Sequence, residues 1–267
     1  MREGVLAIAL VAAVAGFSRG ATAQEAMGPA APAAGYLDER VIGALAAAVP
    51  APAAPGSPQD VADRTASERS TALEDTDRWL LATRHAELRP GVALAHFDCA
   101  LGFRIDAAEA PRLAAILTRV LHDANEAAEL AKARGHRPRP VGDDPDRRAC
   151  QAVTSAQRAT ASHPSGSASV GSAYGTVLAA LVPDRAEAVT AIGRQIAISR
   201  MVCGMHYPSD VEDGAALGAV VAEAVITTPA FQADATAARV EIAAARTAAR
   251  TSPACAAERA ALAIPLP

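Results

Sequence analysis

A histidine accompanied by an arginine and an aspartate marks the segment SRMVCGMHYPSD, which ends at Asp210. Arg200 offers a planar fork of donors for two phosphate oxygens, and His206 offers a ring nitrogen that can act as a nucleophile. Asp210 lies four residues after His206, so its carboxylate can reach back to one ring nitrogen, fix the tautomer and leave the other nitrogen free to attack. Ser209 and Glu212 have the spacing of a capping box, which predicts a helix directly after the histidine. We therefore expect a nucleophilic histidine at a helix end that favours anions.

Two further segments concentrate groups that hold phosphate. The first, KARGHRPRP, begins at Lys132 and carries Arg139 directly before its last proline. Such a group of cations is also typical of a basic helix end that is stabilised by the helix dipole. The second, HPSGS, begins at His163. There Ser165 is placed to cap a helix and Gly166 lets an oxyanion approach free backbone N–H groups, although an ordinary capped turn has the same pattern.

Helices must position these segments, because alanine dominates the chain and few stretches alternate with a period of two. One helix is predicted to have Pro111 in its first turn and a single apolar face formed by Leu113, Ile116, Leu117, Val120 and Leu121. Further helices are predicted for residues 66–88, 169–181, 185–199, 211–226 and 231–250. The predicted fold class is all-α, a compact single-domain helical bundle.

The N-terminal region predicts export. Arg2 precedes an apolar run at residues 5–17, and the small residues ATA end at position 23, a spacing typical of a cleaved secretory signal. A buried N-terminal helix is the alternative interpretation. Residues 24–62 are rich in alanine and proline and are predicted to form an extended arm over the surface. Residues 63–267 then form the helical domain, and we expect a periplasmic location.

Composition limits the partners that we expect. A net charge of −4 and 3% aromatic residues indicate neither a basic face nor a stacking platform for nucleic acid. After the signal, no segment is long and apolar enough to cross a membrane, so no membrane partner is expected. An even number of cysteines in an exported chain predicts disulfides, with three pairings open, and their spacing matches no zinc site. They are Cys99, Cys150, Cys203 and Cys255.

In order, the three segments read Lys-x6-Arg-Pro, Pro-Ser-Gly and Ser-Arg-x5-His-x3-Asp. This signature resembles that of the class A bacterial non-specific acid phosphatases, within the superfamily of type 2 phosphatidic acid phosphatases and vanadium haloperoxidases. The likeness covers roughly residues 36–225. It implies the helical bundle of that superfamily and hydrolysis of small phosphate monoesters without metal or cofactor. It also leaves a homodimer open.

The resemblance implies a role for each matching residue. His206 attacks phosphorus in line and carries a phosphohistidine, which water then hydrolyses. Asp210 orients His206 and stabilises its charged form. Vanadate, which mimics the five-coordinate transition state, is expected to bind in the same pocket. The phosphate oxygens are held by Lys132, Arg139, Arg200, Ser165 and the backbone N–H of Gly166.

One position departs from the family pattern. The family has a histidine directly after Pro-Ser-Gly, where it protonates the leaving oxygen, and this chain has Ser167. A serine hydroxyl is too weak an acid for this task, and losing a positioned acid costs about 10² to 10⁴ in rate. His163, His136 or a water is an alternative proton donor. We therefore expect a phosphatase that is weakened, or specialised for good leaving groups.

Two other functions are weighed against this one. A non-catalytic periplasmic oxyanion-binding protein, a pseudoenzyme, would keep the cations and lose turnover. A vanadate-dependent haloperoxidase is disfavoured, because the chain is short and those enzymes resemble the family in having the histidine that Ser167 replaces.

Overall fold

The computed structural model describes Met1 and residues 34–267, and regular structure in this part is helical without a strand. Apart from Met1, the predicted signal at residues 1–23 lies outside the described residues, as do the first residues of the predicted arm. The all-α fold class is confirmed. Short 3-10 turns lie at Ser70–Leu73, Leu94–His96 and Pro183–Arg185. The α-helices are α1 (Glu39–Ala48), α2 (Pro58–Arg69), α3 (Asp77–His85), α4 (Pro90–Ala93), α5 (Asp98–Leu101), α6 (Pro111–Lys132), α7 (Pro140–Asp143), α8 (Ser155–Arg158), α9 (Gly166–Leu181), α10 (Ala186–Val202), α11 (Pro208–Ile226), α12 (Pro229–Ala248) and α13 (Cys255–Ala263).

Helix α9 lies at the centre of the bundle, where it packs against α6, α10 and α11. Small residues let these helices approach closely. A Cβ atom on Gly193 of α10 would lie 2.6 Å from the carbonyl oxygen of Gly171, and one on Gly218 of α11 would overlap the carbonyl oxygen of Ser169. The start of α9, the end of α10 and the start of α11 are thereby held at one end of the bundle.

The apolar face predicted for α6 is confirmed. The helix begins at Pro111, and four of the five predicted core side chains are fully buried, with Leu121 partly buried against the same core. Removing each of the four from water contributes about 1.5–3 kcal/mol. The four are Leu113, Ile116, Leu117 and Val120. This packing fixes the helix axis and with it the position of Lys132 in the last turn.

The prediction of one helix over residues 66–88 is wrong. Helix α2 ends at Arg69, a 3-10 turn follows, and α3 begins only at Asp77. Asp75 has a positive φ of 61°, which a continuous right-handed helix excludes. Thr76 then caps α3 by accepting a hydrogen bond from the N–H of Trp79. The other predicted helices are confirmed, with ends that differ from the predicted ones by at most three residues.

The predicted arm is more ordered than expected in its described part. Residues 39–48 form α1, with Ile42 and Ala46 buried, and α2 already begins at Pro58. Asp38 and Ser57 cap the two helices with their side-chain oxygens. Because α1 packs on α6, its alanine-rich sequence gains an apolar partner that a free arm would lack.

The open question of cysteine pairing is answered by the structure. Cys99 is bonded to Cys255, and Cys150 is bonded to Cys203. The first disulfide ties α13 to α5. The second joins the segment after α7 to the turn between α10 and α11, next to the candidate site.

Within the described residues, no single helix is both long enough and apolar enough to span a membrane. Helices α11 and α12 meet this criterion of length and composition only when they are taken together. Their axes differ in direction by 88° at the break between them. Both helices contribute buried side chains to the core, among them Val221 and Phe231.

Candidate active site

His206 lies in the turn between α10 and α11 with only 2% of its surface exposed. Its Nδ1 is 2.8 Å from the carbonyl oxygen of Ser162, and its Nε2 is 2.8 Å from Nη1 of Arg139. A carbonyl only accepts and a guanidinium only donates, so these partners assign the proton to Nδ1 and the lone pair to Nε2. This is the tautomer in which Nε2 can act as a nucleophile.

The charge state of His206 follows from its surroundings. Burial is the main cause that lowers its pKa well below the ordinary value of 6.5, and the cations Arg139, Arg200 and Lys132 lower the pKa further. The imidazole is therefore neutral in mildly acidic solution. A neutral ring keeps the Nε2 lone pair available under acidic conditions.

The prediction that Asp210 bonds directly to His206 is wrong. One carboxylate oxygen of Asp210 accepts from the hydroxyl of Ser162 at 2.6 Å and from the N–H of Tyr207 at 2.9 Å. The other oxygen accepts from Arg137 at 2.9 Å. Asp210 is thus connected to His206 only through Ser162, whose hydroxyl donates to Asp210 and whose carbonyl oxygen accepts from the imidazole.

The predicted capping box of Ser209 and Glu212 is also wrong. Helix α11 begins one residue before Ser209, and the carboxylate of Asp210 caps it by accepting from the N–H of Tyr207. The hydroxyl of Ser209 instead donates to the carboxylate of Asp63 on α2. The stronger charge-assisted bond to a buried carboxylate replaces the local cap.

Three cations converge on a cavity of about 200 Å³ that His206 also lines. Lys132 is in the last turn of α6, Arg139 precedes α7, and Arg200 is in the last turn of α10. Nη1 of Arg200 donates to the side-chain oxygen of Gln151 at 3.1 Å, and Nε of Arg139 donates to the hydroxyl of Thr160 at 2.9 Å.

The charge of these cations is largely uncompensated. Within residues 34–267, no carboxylate bonds to the guanidinium of Arg139 or Arg200, and Lys132 pairs with Glu129 at 2.5 Å. Burial and the nearby Arg139 lower the pKa of Arg200 to about 10, so Arg200 remains a cation at acid pH. Buried cations without counter-charges are stabilised by an anionic ligand, and Arg139 and Arg200 are two such cations beside the paired Lys132.

The start of α9 forms another wall of the cavity. Ser165 caps this helix as predicted, since its hydroxyl accepts from the N–H of Ala168 at 3.2 Å. Ser165 is fully buried behind the wall, whereas Gly166 and Ser167 line the cavity itself. Of the predicted phosphate-binding residues, Ser165 is therefore the one that does not line the cavity.

A family model described as the PAP2 superfamily matches residues 112–233. The acid phosphatase of Zymomonas mobilis subsp. mobilis is 32% identical over 200 residues, covering 75% of this chain and 76% of that protein. The chain belongs to the class A acid phosphatases of the PAP2 superfamily. The non-specific acid phosphatase of Providencia stuartii is 27% identical to this chain over 187 residues, which cover 70% of this chain and 75% of that protein. That of Salmonella typhimurium is 39% identical over 75 residues, 28% of this chain and 30% of that protein.

Among the described residues that line the cavity, His206 is the only histidine. No second imidazole therefore takes the role of the family's histidine at position 167. His163 is buried, and its Nε2 lies 2.8 Å from the carboxylate of Asp213. His136 is exposed, with Nε2 3.3 Å from the carbonyl oxygen of Ala159. The structure thus gives neither histidine the position that a general acid requires.

Several residues of the class A site were missed in the sequence. Asn125 lies seven residues before Lys132 on α6, so helical periodicity could have placed both on one face. The others lie outside the long helices, where no periodicity points to them. They are Ser162, which binds His206, and the cavity-lining Gln151, Gln157, Thr160 and Met205.

Proposed function

We propose that this class A acid phosphatase hydrolyses phosphate monoesters through a phosphohistidine on His206. The observation that carries the proposal is a neutral, buried imidazole whose Nε2 faces a cavity lined by three cations. The acid phosphatase activity named for its relatives supports the same reaction class. Lys132, Arg139 and Arg200 hold the phosphate oxygens and stabilise the charge of the transition state.

The reaction has two steps. In the first, the Nε2 lone pair of His206 forms a bond to phosphorus, and the bond to the leaving oxygen breaks with its electron pair. Phosphate oxygens compete for the Arg139 donor that now bonds to Nε2, which frees the lone pair. In the second step, water attacks phosphorus, the N–P bond breaks, and inorganic phosphate leaves. Ser162 holds the proton on Nδ1 throughout.

The leaving oxygen receives no proton from an imidazole at position 167. We therefore propose that the enzyme favours leaving groups of low pKa, which depart unprotonated, and that water protonates poorer ones slowly. Within the described residues, no cluster of three His, Cys, Asp or Glu side chains is arranged to hold a metal ion. We propose a metal-independent enzyme that the signal at residues 1–23 delivers to the periplasm.

A second candidate is an oxyanion-binding protein without turnover. Ser167 is the observation that favours it, because the cation-lined cavity is retained while the general acid is missing. Efficient release of phosphate from alkyl esters would exclude this candidate.

The experiment compares hydrolysis of p-nitrophenyl phosphate and of a nucleoside monophosphate by the mature protein, with and without vanadate and EDTA. We expect turnover that is sensitive to vanadate, resistant to EDTA and biased to the aryl ester. His206→Ala is expected to abolish turnover and the acid-labile phosphoenzyme, and exposed His136→Ala is the matched control. Phosphate binding without turnover on either substrate would establish the second candidate.

A further inference from the structure

Arg137 is buried beside the catalytic segments although it does not line the cavity. It is 4% exposed, two residues before Arg139, and its guanidinium lies between α2 and the start of α11. Nη1 donates to the carboxylate of Asp210 at 2.9 Å, and Nη2 is 2.9 Å from the carboxylates of Asp60 and Asp63. All three carboxylates are at most 4% exposed. One side chain can bond to all three carboxylates because the guanidinium of arginine is a planar fork with donors on separate nitrogens. The single ammonium of lysine lacks this fork.

Arg137 also closes a ring of hydrogen bonds with two residues of the site. Its carbonyl oxygen accepts from the N–H of Ser162 at 2.8 Å. The hydroxyl of Ser162 donates to Asp210 at 2.6 Å, and Asp210 accepts from Arg137 at 2.9 Å. The ring takes one residue from the basic segment, one from the segment before α9 and one from α11. The ring therefore connects the basic segment, the residue directly before His163 and the first turn of α11.

The ring bears directly on the nucleophile. The carbonyl of Ser162 binds Nδ1 of His206, and Asp210 holds the N–H of Tyr207, the next residue. The guanidinium carbon of Arg137 lies 4.3 Å from the centre of the Tyr207 ring, so the same side chain also covers this turn. We propose that Arg137 is a positioning residue that fixes the tautomer and direction of the His206 imidazole through this ring. The inference rests on the proposed function, in which His206 is the nucleophile.

Helix α2 supports the ring from outside. Asp63 accepts from both the N–H and the hydroxyl of Ser209 in the first turn of α11, and Asp60 accepts from the N–H of Gly56 and from Nε of Arg64. The Asp63 bonds tie α2 to the turn that carries His206, whereas the bonds of Asp60 to Gly56 and Arg64 are local to α2. The N-terminal helical region thus becomes part of the apparatus that orients the nucleophile, without contact to the substrate.

The test uses Arg137→Lys, which keeps a cation but loses the fork, and Arg137→Gln, which removes the charge. A displaced nucleophile costs about 10² in rate, so we expect kcat to fall by about that factor in Arg137→Lys and further in Arg137→Gln. The inhibition constant of inorganic phosphate is expected to stay at the wild-type value, because the three cavity cations remain. Arg78→Gln is the matched control, since Arg78 is also a buried arginine but donates to Gln195 and does not line the cavity.

A second readout does not depend on turnover. Proton–nitrogen NMR correlations report which ring nitrogen of His206 carries the proton, with His206→Asn used for assignment. We expect one tautomer, protonated on Nδ1, in the wild type and a mixture in Arg137→Lys. If wild-type turnover is absent, the proposed function fails while the tautomer still decides the role of Arg137.

Ser162→Ala tests the ring even if Arg137→Gln does not fold, because it removes only the hydroxyl that donates to Asp210. We expect the same loss of kcat with unchanged phosphate inhibition. A wild-type kcat and a single tautomer in folded Arg137→Lys or Ser162→Ala would overturn the proposal. So would a parallel loss of kcat and phosphate affinity, which indicates general distortion of the site.

Discussion

At the scale of single residues, the cavity keeps the proposed nucleophile, His206, and has a serine at the position of the family's proton donor. His206 has a fixed tautomer, three neighbouring cations and a carbonyl partner, which together prepare Nε2 for attack. On the leaving-group side, Ser167 stands where the family has an imidazole, and neither His163 nor His136 lines the cavity. Under the proposed function, the expected defect therefore concerns protonation of the leaving oxygen and not the attack on phosphorus.

Ser167→His is expected to restore that proton donor. Ser167 is partly exposed at the cavity wall, so an imidazole there can reach bound substrate. A positioned acid contributes about 10² to 10⁴ in rate, and we expect a gain of this order on a nucleoside monophosphate and little gain on p-nitrophenyl phosphate. Values of kcat/KM for both substrates measure it, with Ser167→Ala as the control. Equal gains on both esters would contradict the leaving-group argument.

At the scale of elements, the Cys150–Cys203 disulfide connects the site to a loop. Cys203 lies between Arg200 and His206 in the chain, and Gln151, next to Cys150, accepts a hydrogen bond from Arg200. The Cys150–Cys203 disulfide therefore holds Gln151, the hydrogen-bond partner of Arg200, in place. The Cys99–Cys255 disulfide lies away from the cavity and closes a longer loop, with a sequence separation of 156 against 53.

Removing the two disulfides is expected to have different effects. The double variant Cys150→Ala, Cys203→Ala should lower kcat/KM, because Gln151 no longer orients Arg200. The double variant Cys99→Ala, Cys255→Ala should keep kcat/KM and lose more stability, by about 1 kcal/mol according to the loop-entropy relation. Steady-state kinetics and urea unfolding of both variants measure this. Equal kcat/KM in the two variants would show that Arg200 does not need the Cys150 bond.

At the scale of the whole molecule, buried histidines link stability to pH. His85 and His96 lie in edge-to-face contact at 5.2 Å, and His85 bonds to the hydroxyl of Ser199. Burial is the main cause that lowers the pKa of both imidazoles, and for His85 the charges of His96 and of Arg78 add to it. The unfolded chain takes up protons below about pH 6.5, whereas the folded chain does so only at lower pH. Their contribution to stability is thus complete above that pH and falls as pH decreases.

Buried carboxyl groups act in the opposite sense. Burial raises the pKa of Asp98, Asp123 and Glu258, so their contribution is complete below their unfolded pKa values and is lost as pH rises. A single pH profile of the wild type therefore mixes both effects. A comparison with a histidine variant isolates one of them.

His85→Asn is expected to reduce the acid sensitivity of folding. The stability advantage of the wild type over this variant should shrink by about 1.4 kcal/mol per pH unit below pH 6.5, since that is the free energy of one pKa unit. Urea unfolding of both proteins on either side of that pH measures it. Exposed His136→Asn is the matched control, and parallel curves for wild type and His85→Asn would contradict the burial argument.

The sequence by itself predicts the helical class, the buried face of α6 and some of the residues that line the cavity. Those features are local: a helical face repeats every three to four residues, and catalytic groups have recognisable types and spacings. Residues 66–88 show the limit of this approach. Their composition favours a helix, but the positive φ of Asp75 and the cap at Thr76 depend on how the chain turns to pack.

Only the tertiary structure decides which groups hold His206. Ser162 is 44 residues from His206 in sequence, and Asp60 is 77 residues from Arg137. Such contacts arise because the close approach of α9, α10 and α11 brings the ends of distant segments together, and no local periodicity encodes them. The same packing pairs the cysteines and places Asp210 on Ser162 instead of His206. The sequence thus determines which chemical groups are present, and the packing of the helices determines how they are connected.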